Sequence, residues 1–196
     1  METRYNIDHV NTWRQEGAVV IPKFFNQKEI TRVVSDFKII FPESKAEIQA
    51  LNKKGKGEVG NKLPLQLSGK KMGKTTVEQF RHFENIPFDC SQALNLIAVH
   101  PSLIEFARSA LKTKEVRLYQ AQAWAKYTGE ADFDQAFHCD FGNHTLTVPS
   151  ADECHNAITF ILYFTEVTES HGPTHYVNRS DSKNFDGLQR FLEHRE

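Results

Sequence analysis

"EVRLYQAQAWAK" (residues 115–126) is the stretch whose reading decides the fold class. Before it, apolar residues recur at helical spacing; within it they alternate, the period of a strand. Val116, Leu118, Gln120, Gln122, Trp124 and Lys126 fall on one face, and Arg117, Tyr119, Ala121, Ala123 and Ala125 on the other. The first face begins apolar and continues with two glutamines. Buried amides require partners. A polar small molecule inside a barrel would supply them, and an edge strand with a wet face would account for the pattern equally well. Alternation alone does not say which face is inside.

Upstream, "GAVVIPKFF" (17–25) reads as a short buried strand closed by Pro22. In "NQKEITRVVSDFKIIFP" (26–42), Asn26 and Glu29 have capping-box spacing. Ile30, Val33, Val34, Phe37, Ile40 and Phe41 keep one helical face until Pro42. "SQALNLIAVH" (91–100) and "SLIEFARSALK" (102–112) read as two more helices, the second opening on a Ser102–Glu105 capping box. Between Lys53 and Lys74 stand seven lysines, five glycines and one acid, Glu58. That composition suits a surface loop, or else a mobile lid or anion-binding loop; it holds no aromatic residue to stack on single-stranded nucleic acid. Downstream, "FDQAFHCDF" (133–141), "NAITFILYFTEV" (156–167) and "THYVN" (174–178) read as strands, and "DGLQRFLEHRE" (186–196) as a helix. Helices first and strands later predict an α+β fold with an antiparallel sheet or barrel.

The chain has 196 residues, enough for one domain with a core. Its charged (25%) and hydrophobic (39%) fractions are those of a soluble globular protein. A formal net charge of -1 argues against a nucleic-acid or anionic-membrane partner. No apolar run approaches the roughly 18 residues needed to span a bilayer, and "METRYNIDHV" lacks the apolar stretch of a secretory signal. Cys90, Cys139 and Cys154 form no evident disulfide framework. These features predict a cytoplasmic protein.

The strand 133–141 holds the candidate chemistry. His138 and Asp140 are two positions apart, so they project to one face while Cys139 points to the other. An imidazole and a carboxylate on one face can grip a divalent ion, two of the donors in the two-His, one-carboxylate arrangement of non-haem Fe(II) oxygenases. The plain alternative is a hydrogen-bonded His–Asp pair. Cys139 reads as a packing residue, His82 as an aromatic-flanked structural residue, and His144 and His155 as solvent-exposed.

The order of "GAVVIPKFF…EI", "HPSLIEFARSAL", "VRLYQAQAWAKYTG", "FHCD" and "LYFTEVTESHGPTHYV" resembles the phytanoyl-CoA dioxygenase family of Fe(II)/2-oxoglutarate-dependent oxygenases, over most of the chain from Gly17 to Val177. The resemblance implies a double-stranded β-helix (a cupin-like jelly roll) with flanking helices. It divides a single domain, 1–196, into a helical part to about 112 and a β-helix core from about 113. It implies Fe(2+) and 2-oxoglutarate as cofactors and hydroxylation of a small-molecule substrate with O2. His138 and Asp140 match the family's HxD metal ligands. Gln122 stands where the preceding strand lines the 2-oxoglutarate pocket, and Phe160 near an aromatic position beside the cosubstrate. Arg81 or His82 matches a basic position that approaches a cosubstrate carboxylate. A carboxylate at Asp140, where related halogenases have a small residue, favours hydroxylation.

The departure lies at the C-terminal end. The family has a distal His and, after it, an Arg that pairs with the far carboxylate of 2-oxoglutarate. Neither is found in register after "GPTHYV": His171 and His175 fall where no ligand is expected, His194 falls in the terminal helix, and "VNRSDS" replaces the usual "VPGSH" turn. The expectation is a fragment or truncated relative with an incomplete barrel and no competent turnover of its own. A non-catalytic cupin-like ligand-binding protein and a metal-free structural domain are the competing readings.

Overall fold

A computed structural model describes residues 4–40, 57–59, 63–67, 80–83, 91–126, 137 and 157–182, with the backbone alone at 39, 40, 57–59, 63–67, 80–83, 124 and 126. In chain order the elements are α1 (Ile7–Glu16), α2 (Gln27–Ile40), β1 (Gly57–Val59), β2 (Leu63–Leu67), β3 (Phe80–Phe83), α3 (Gln92–Ala98), α4 (Pro101–Leu111), β4 (Ala123–Lys126), a 3-10 turn (Glu169–His171) and α5 (Arg179–Ser182). No described helix is long and apolar enough to cross a membrane.

The helix ends are fixed by side chains close in sequence. Asn6 Oδ1 accepts from His9 N at 3.0 Å while Asn6 N donates to His9 Nδ1 at 3.1 Å, a capping box closed by an imidazole. Gly17 ends α1 at φ 85, with its N–H on Trp13 O at 2.9 Å. Only glycine takes that left-handed position without strain. The expected Asn26–Glu29 box opens α2, through Glu29 N to Asn26 Oδ1 at 3.0 Å and Asn26 N to Glu29 Oε2 at 2.9 Å. Ser91 Oγ accepts from Leu94 N at 3.1 Å to cap α3. At α4 the expected Ser102–Glu105 box does not form. His100 Nδ1 accepts from Ser102 N at 3.1 Å, Pro101 takes the first turn, and Glu105 pairs with Arg108 instead. Proline is favoured there because its missing N–H would be unbonded in any helix.

Two clusters make the core. Val33, Leu94 and Ile97 of α2 and α3 are buried with Ala123 of β4, and Phe25, Phe37, Ala93, Ala125 and Phe164 pack around them. Val10, Phe106 and Ala110 of α1 and α4 form the second, covered by Tyr5, Trp13, Val19, Ile21, Ile158 and Phe160. Phe106 meets Tyr5 edge-on at 5.0 Å and Phe160 at 5.9 Å, the geometry that aromatic quadrupoles favour.

Several expectations need correction. Residues 17–25 contain no strand: Gly17 belongs to the cap of α1, and the stretch ends in a turn with Lys23 at φ 56. Val19 and Ile21 pack inward and Val20 is 74% exposed, so the alternation is that of an extended chain without a ladder. The segment 157–165 alternates likewise, with Ile158, Phe160 and Phe164 on the helices and Ile161 and Tyr163 exposed. The expected strand 115–126 forms a ladder only from Ala123. The stretch from Lys53 to Lys74, expected as loop, contains β1 and β2. These pair in an antiparallel sheet ordered β1-β2-β3-β4. The terminal stretch 186–196 lies outside the described residues.

Candidate functional site

The register of the sheet sorts its residues into two faces, because directly opposite residues project to the same side. Ala123 stands opposite Phe83 and Ala125 opposite Arg81. Arg81 stands opposite Leu67, and Gly57 opposite Leu65. Ala123 is buried against Val33, Leu94 and Ile97, so this is the helix-facing side. Small alanines here let the helices approach the strand closely. The leucines at 63, 65 and 67 and the phenylalanine at 83 belong to the same face.

The other face begins with Gln122, half-buried beside the buried Ala123. Trp124 stands opposite His82, Lys126 opposite Phe80, and His82 in turn opposite Gln66. The question left open by alternation is thereby answered. Within β4 the alanine face, Ala123 and Ala125, is the core side and Trp124 and Lys126 belong to the other, whereas residues 117–121 before the strand are all exposed.

Two expected site residues fall on the helix side. Phe160 packs on Phe106 in the second core cluster, so it does not share a side with Gln122. Its neighbours in the alternation, Thr159 and Ile161, are exposed. Arg81 belongs to the register of Ala125 and the leucines, whereas His82 belongs to that of Trp124. A one-residue difference in β3 decides which basic residue stands on the glutamine face. His138, Cys139, Asp140, His144, His155 and His194 lie outside the described residues, and Phe137 beside the HxD triplet is half-buried. Among the described residues no group of three His, Cys, Asp or Glu side chains could hold a metal ion.

The remaining described histidines serve local structure. His171 Nδ1 meets Thr168 Oγ1 at 2.8 Å and accepts from Thr168 N at 3.0 Å, closing the 3-10 turn. His175 Nε2 lies 3.5 Å from Glu169 Oε2 at the surface. In "VNRSDS", Asn178 Oδ1 accepts from Asp181 N at 2.8 Å and from Ser180 Oγ at 2.7 Å, starting α5. The electrostatic centre of the described residues is Glu29. Arg4 donates to both its oxygens, at 2.7 and 3.0 Å, and His100 Nε2 lies 3.2 Å away. The Arg4 hydrogen bonds, aided by Asn26 N–H and the neighbouring positive charge, outweigh partial burial and lower the Glu29 pKa to about 2. This carboxylate ties the N-terminal segment to α2 and α4.

The phytanoyl-CoA dioxygenase (PhyH) family model matches residues 13–196. The chain therefore belongs to the phytanoyl-CoA dioxygenase family. That family comprises Fe(II)/2-oxoglutarate-dependent oxygenases on a cupin-like double-stranded β-helix, acting on a substrate with O2. No curated protein and no solved structure matches the chain.

Proposed function

We propose that the protein is an Fe(II)/2-oxoglutarate-dependent dioxygenase that hydroxylates a small-molecule substrate in the cytoplasm. The observation that carries this reading is the His138-Cys139-Asp140 triplet within a chain that matches the family almost throughout. A neutral imidazole and a carboxylate are the donor chemistry that Fe(II) takes in facial sites. His138 and Asp140 would hold the ion, and the bound ion would supply O2 activation coupled to decarboxylation of 2-oxoglutarate to succinate. Cys139, one position out of phase in a strand, would pack on the opposite side.

Gln122 is assigned to the cosubstrate pocket on the family resemblance. It stands on the strand side turned from the helices, and its amide can donate to a carboxylate or accept from a hydroxyl. The register favours His82 over Arg81 as the basic residue on that side, and Phe160 packs on Phe106 in the second core cluster. In this reading the chain is one domain, in which β1, β2 and β3, from the part before about 112, pair with β4 of the part after it. The cytoplasmic assignment rests on three cysteines without a disulfide pattern.

The test is anaerobic addition of Fe(II) and 2-oxoglutarate. A weak visible charge-transfer band is expected from the wild type and from Cys139→Ala, and none from His138→Ala or Asp140→Ala. Loss of the band in Cys139→Ala as well would remove the strand-parity assignment. No band in the wild type, with 2-oxoglutarate still bound, would make the protein a non-catalytic binding relative.

A further inference from the structure

We propose that His9 is a pH-sensitive latch on α1, closing the first turn of the helix in its neutral form and releasing it on protonation. Its action needs neither iron nor cosubstrate. His9, His100 and His171 each accept a backbone N–H on Nδ1, from Asn6 at 3.1 Å, Ser102 at 3.1 Å and Thr168 at 3.0 Å. An N–H can only donate, so in each of these rings Nδ1 carries no proton and Nε2 does. An imidazolium is protonated on both nitrogens and cannot make any of the three bonds. The rings differ in what else holds them. His100 Nε2 lies 3.2 Å from Glu29 Oε1, so that ring stays tied when its cap opens. His171 Nδ1 also meets Thr168 Oγ1 at 2.8 Å, a hydroxyl that can donate to a neutral ring and accept from a protonated one. Among the described residues the ring of His9 has no such second partner, and the bond it makes is the one that protonation removes.

Charge acts in the same direction. His9 stands in the first turn of α1, where the positive end of the helix dipole disfavours a cation. Asp8 precedes it, but residues adjacent in sequence do not face each other on a helix. The charged groups around α1 are committed elsewhere: Arg4 to Glu29, Glu105 to Arg108 on α4, and Arg14 to the Ser109 and Ala110 carbonyls. Arg179 of α5 packs beside Gly17, at the opposite end of the helix. The neighbours of His9 define what the latch controls. Val10, next in sequence, is 1% exposed in the cluster with Phe106 and Ala110. Tyr5 is held by Ser109 Oγ at 3.2 Å on one side, and Arg14 is held by α4 on the other. Release at His9 therefore loosens the turn over residues 6–9 between two fixed points and leaves α1 attached. Because the neutral ring makes the bond, the turn is closed above the pH range in which histidine gains its proton and opens as pH falls through it.

Nuclear magnetic resonance of the full chain tests the latch. A two-bond nitrogen–proton correlation at about pH 7.5, above the ordinary histidine range, should show His9 Nδ1 without a proton. Exchange of the Asn6 amide, corrected for its intrinsic rate, should speed up by about threefold or more from about pH 7.5 to about pH 5.5, the scale of a lost helix cap. His9→Gln keeps an acceptor usual in a capping box and removes the titrating ring, so its Asn6 rate should stay within about 1.5-fold over the same interval. His175→Gln, at a surface histidine near Glu169 that closes no helix end, should follow wild type. Glu29, with its pKa lowered to about 2, stays ionised throughout. The proposal is overturned if Nδ1 of His9 carries a proton at the higher pH, if the wild-type Asn6 rate falls short of that increase, or if His9→Gln accelerates as wild type does. Should His9→Gln fail to fold, one titration of the wild type decides: coincident midpoints for the His9 ring and the Asn6 rate support the latch, and midpoints about one pH unit or more apart overturn it.

Discussion

The helical layer and the four-stranded sheet are specified in different ways. Each of the first four helices is opened by a side chain no more than three residues from the N–H it bonds, as at Asn6–His9, Asn26–Glu29, Ser91–Leu94 and His100–Ser102. In the sheet, Gln66, His82 and Trp124 come to one row from positions far apart in the chain. Local rules suffice for the first; the second depends on register, which no single stretch contains. The helices should therefore fail through lost packing and lost ion pairs, and the sheet through a face that has been made wrong.

The severest test of the helical side is Phe106→Ala. Phe106 is 1% exposed and touches rings on both sides, from Tyr5 and from Phe160. Removing it should cost about 3–5 kcal/mol, read as a drop in the urea midpoint, and should loosen the helix-facing side of 157–165 along with α1. A loss under 1 kcal/mol would mean that the second core cluster is not where α1, α4 and the extended segment are joined.

Next in size is Glu29→Gln, which removes the charge shared by Arg4 and His100. Hydrogen bonds to charged groups contribute about 1.5–3 kcal/mol, and a loss in that range is expected near neutral pH. The pH dependence has a definite sign. The folded-state pKa is about 2, below the ordinary value of 4.5. The stabilisation is thus fully present above about pH 4.5 and is lost as pH falls towards 2. Wild type and variant should converge in stability across that window and run parallel above it. A difference that grew on acidification would contradict the assignment.

The sheet is tested by a pair of neighbours. Ala123→Leu forces extra volume between β4 and the helices and should cost about 1–3 kcal/mol. Gln122→Leu, one position away, should cost less stability than Ala123→Leu but should weaken 2-oxoglutarate binding. Equal stability losses would mean that both faces are packed, and the reversed pattern would turn the strand over.

This pair also marks what the sequence could and could not say. The cap at Asn26, the apolar stripe through Val33 and Phe37, and the end of the helical pattern before β4 were all legible, because each is a short-range rule. The strand expected at 115–126 was legible only at its end, Ala123–Lys126, and not which face it buries. That was settled only by Ala123 meeting Val33 and Leu94. Leu63, Leu65 and Leu67 alternate plainly enough to signal a strand, yet the surrounding lysines and glycines give the stretch the composition of a loop. Helix α1 was unread because a histidine closes its capping box where glutamate or glutamine is usual. His138 and Asp140 stand out by spacing and resemblance together, and Arg81 and His82 stay alternatives without the ladder that separates them.

The smallest effect sharpens the contrast within the helical layer itself. Arg108–Glu105 and Arg4–Glu29 are both ion pairs at 2.7 Å. The first is an i,i+3 pair on α4 with side chains 45% and 55% exposed; the second is 17% and 26% exposed and shares its carboxylate with a histidine and a helix cap. Equal length would suggest equal worth if distance alone governed the energy. Water screens the exposed pair, and holding two long side chains together costs rotamer freedom, so such a pair contributes about 0.2–0.5 kcal/mol. Glu105→Gln should therefore shift stability by less than about 0.5 kcal/mol, and 0.5 M salt should erase even that. Glu29→Gln should keep most of its cost in the same salt, since partial burial limits screening. If the two variants responded to salt alike, the Arg4–Glu29–His100 cluster would be a surface pair like any other, and the N-terminal segment would owe its position to Tyr5 and Arg14 on α4 instead.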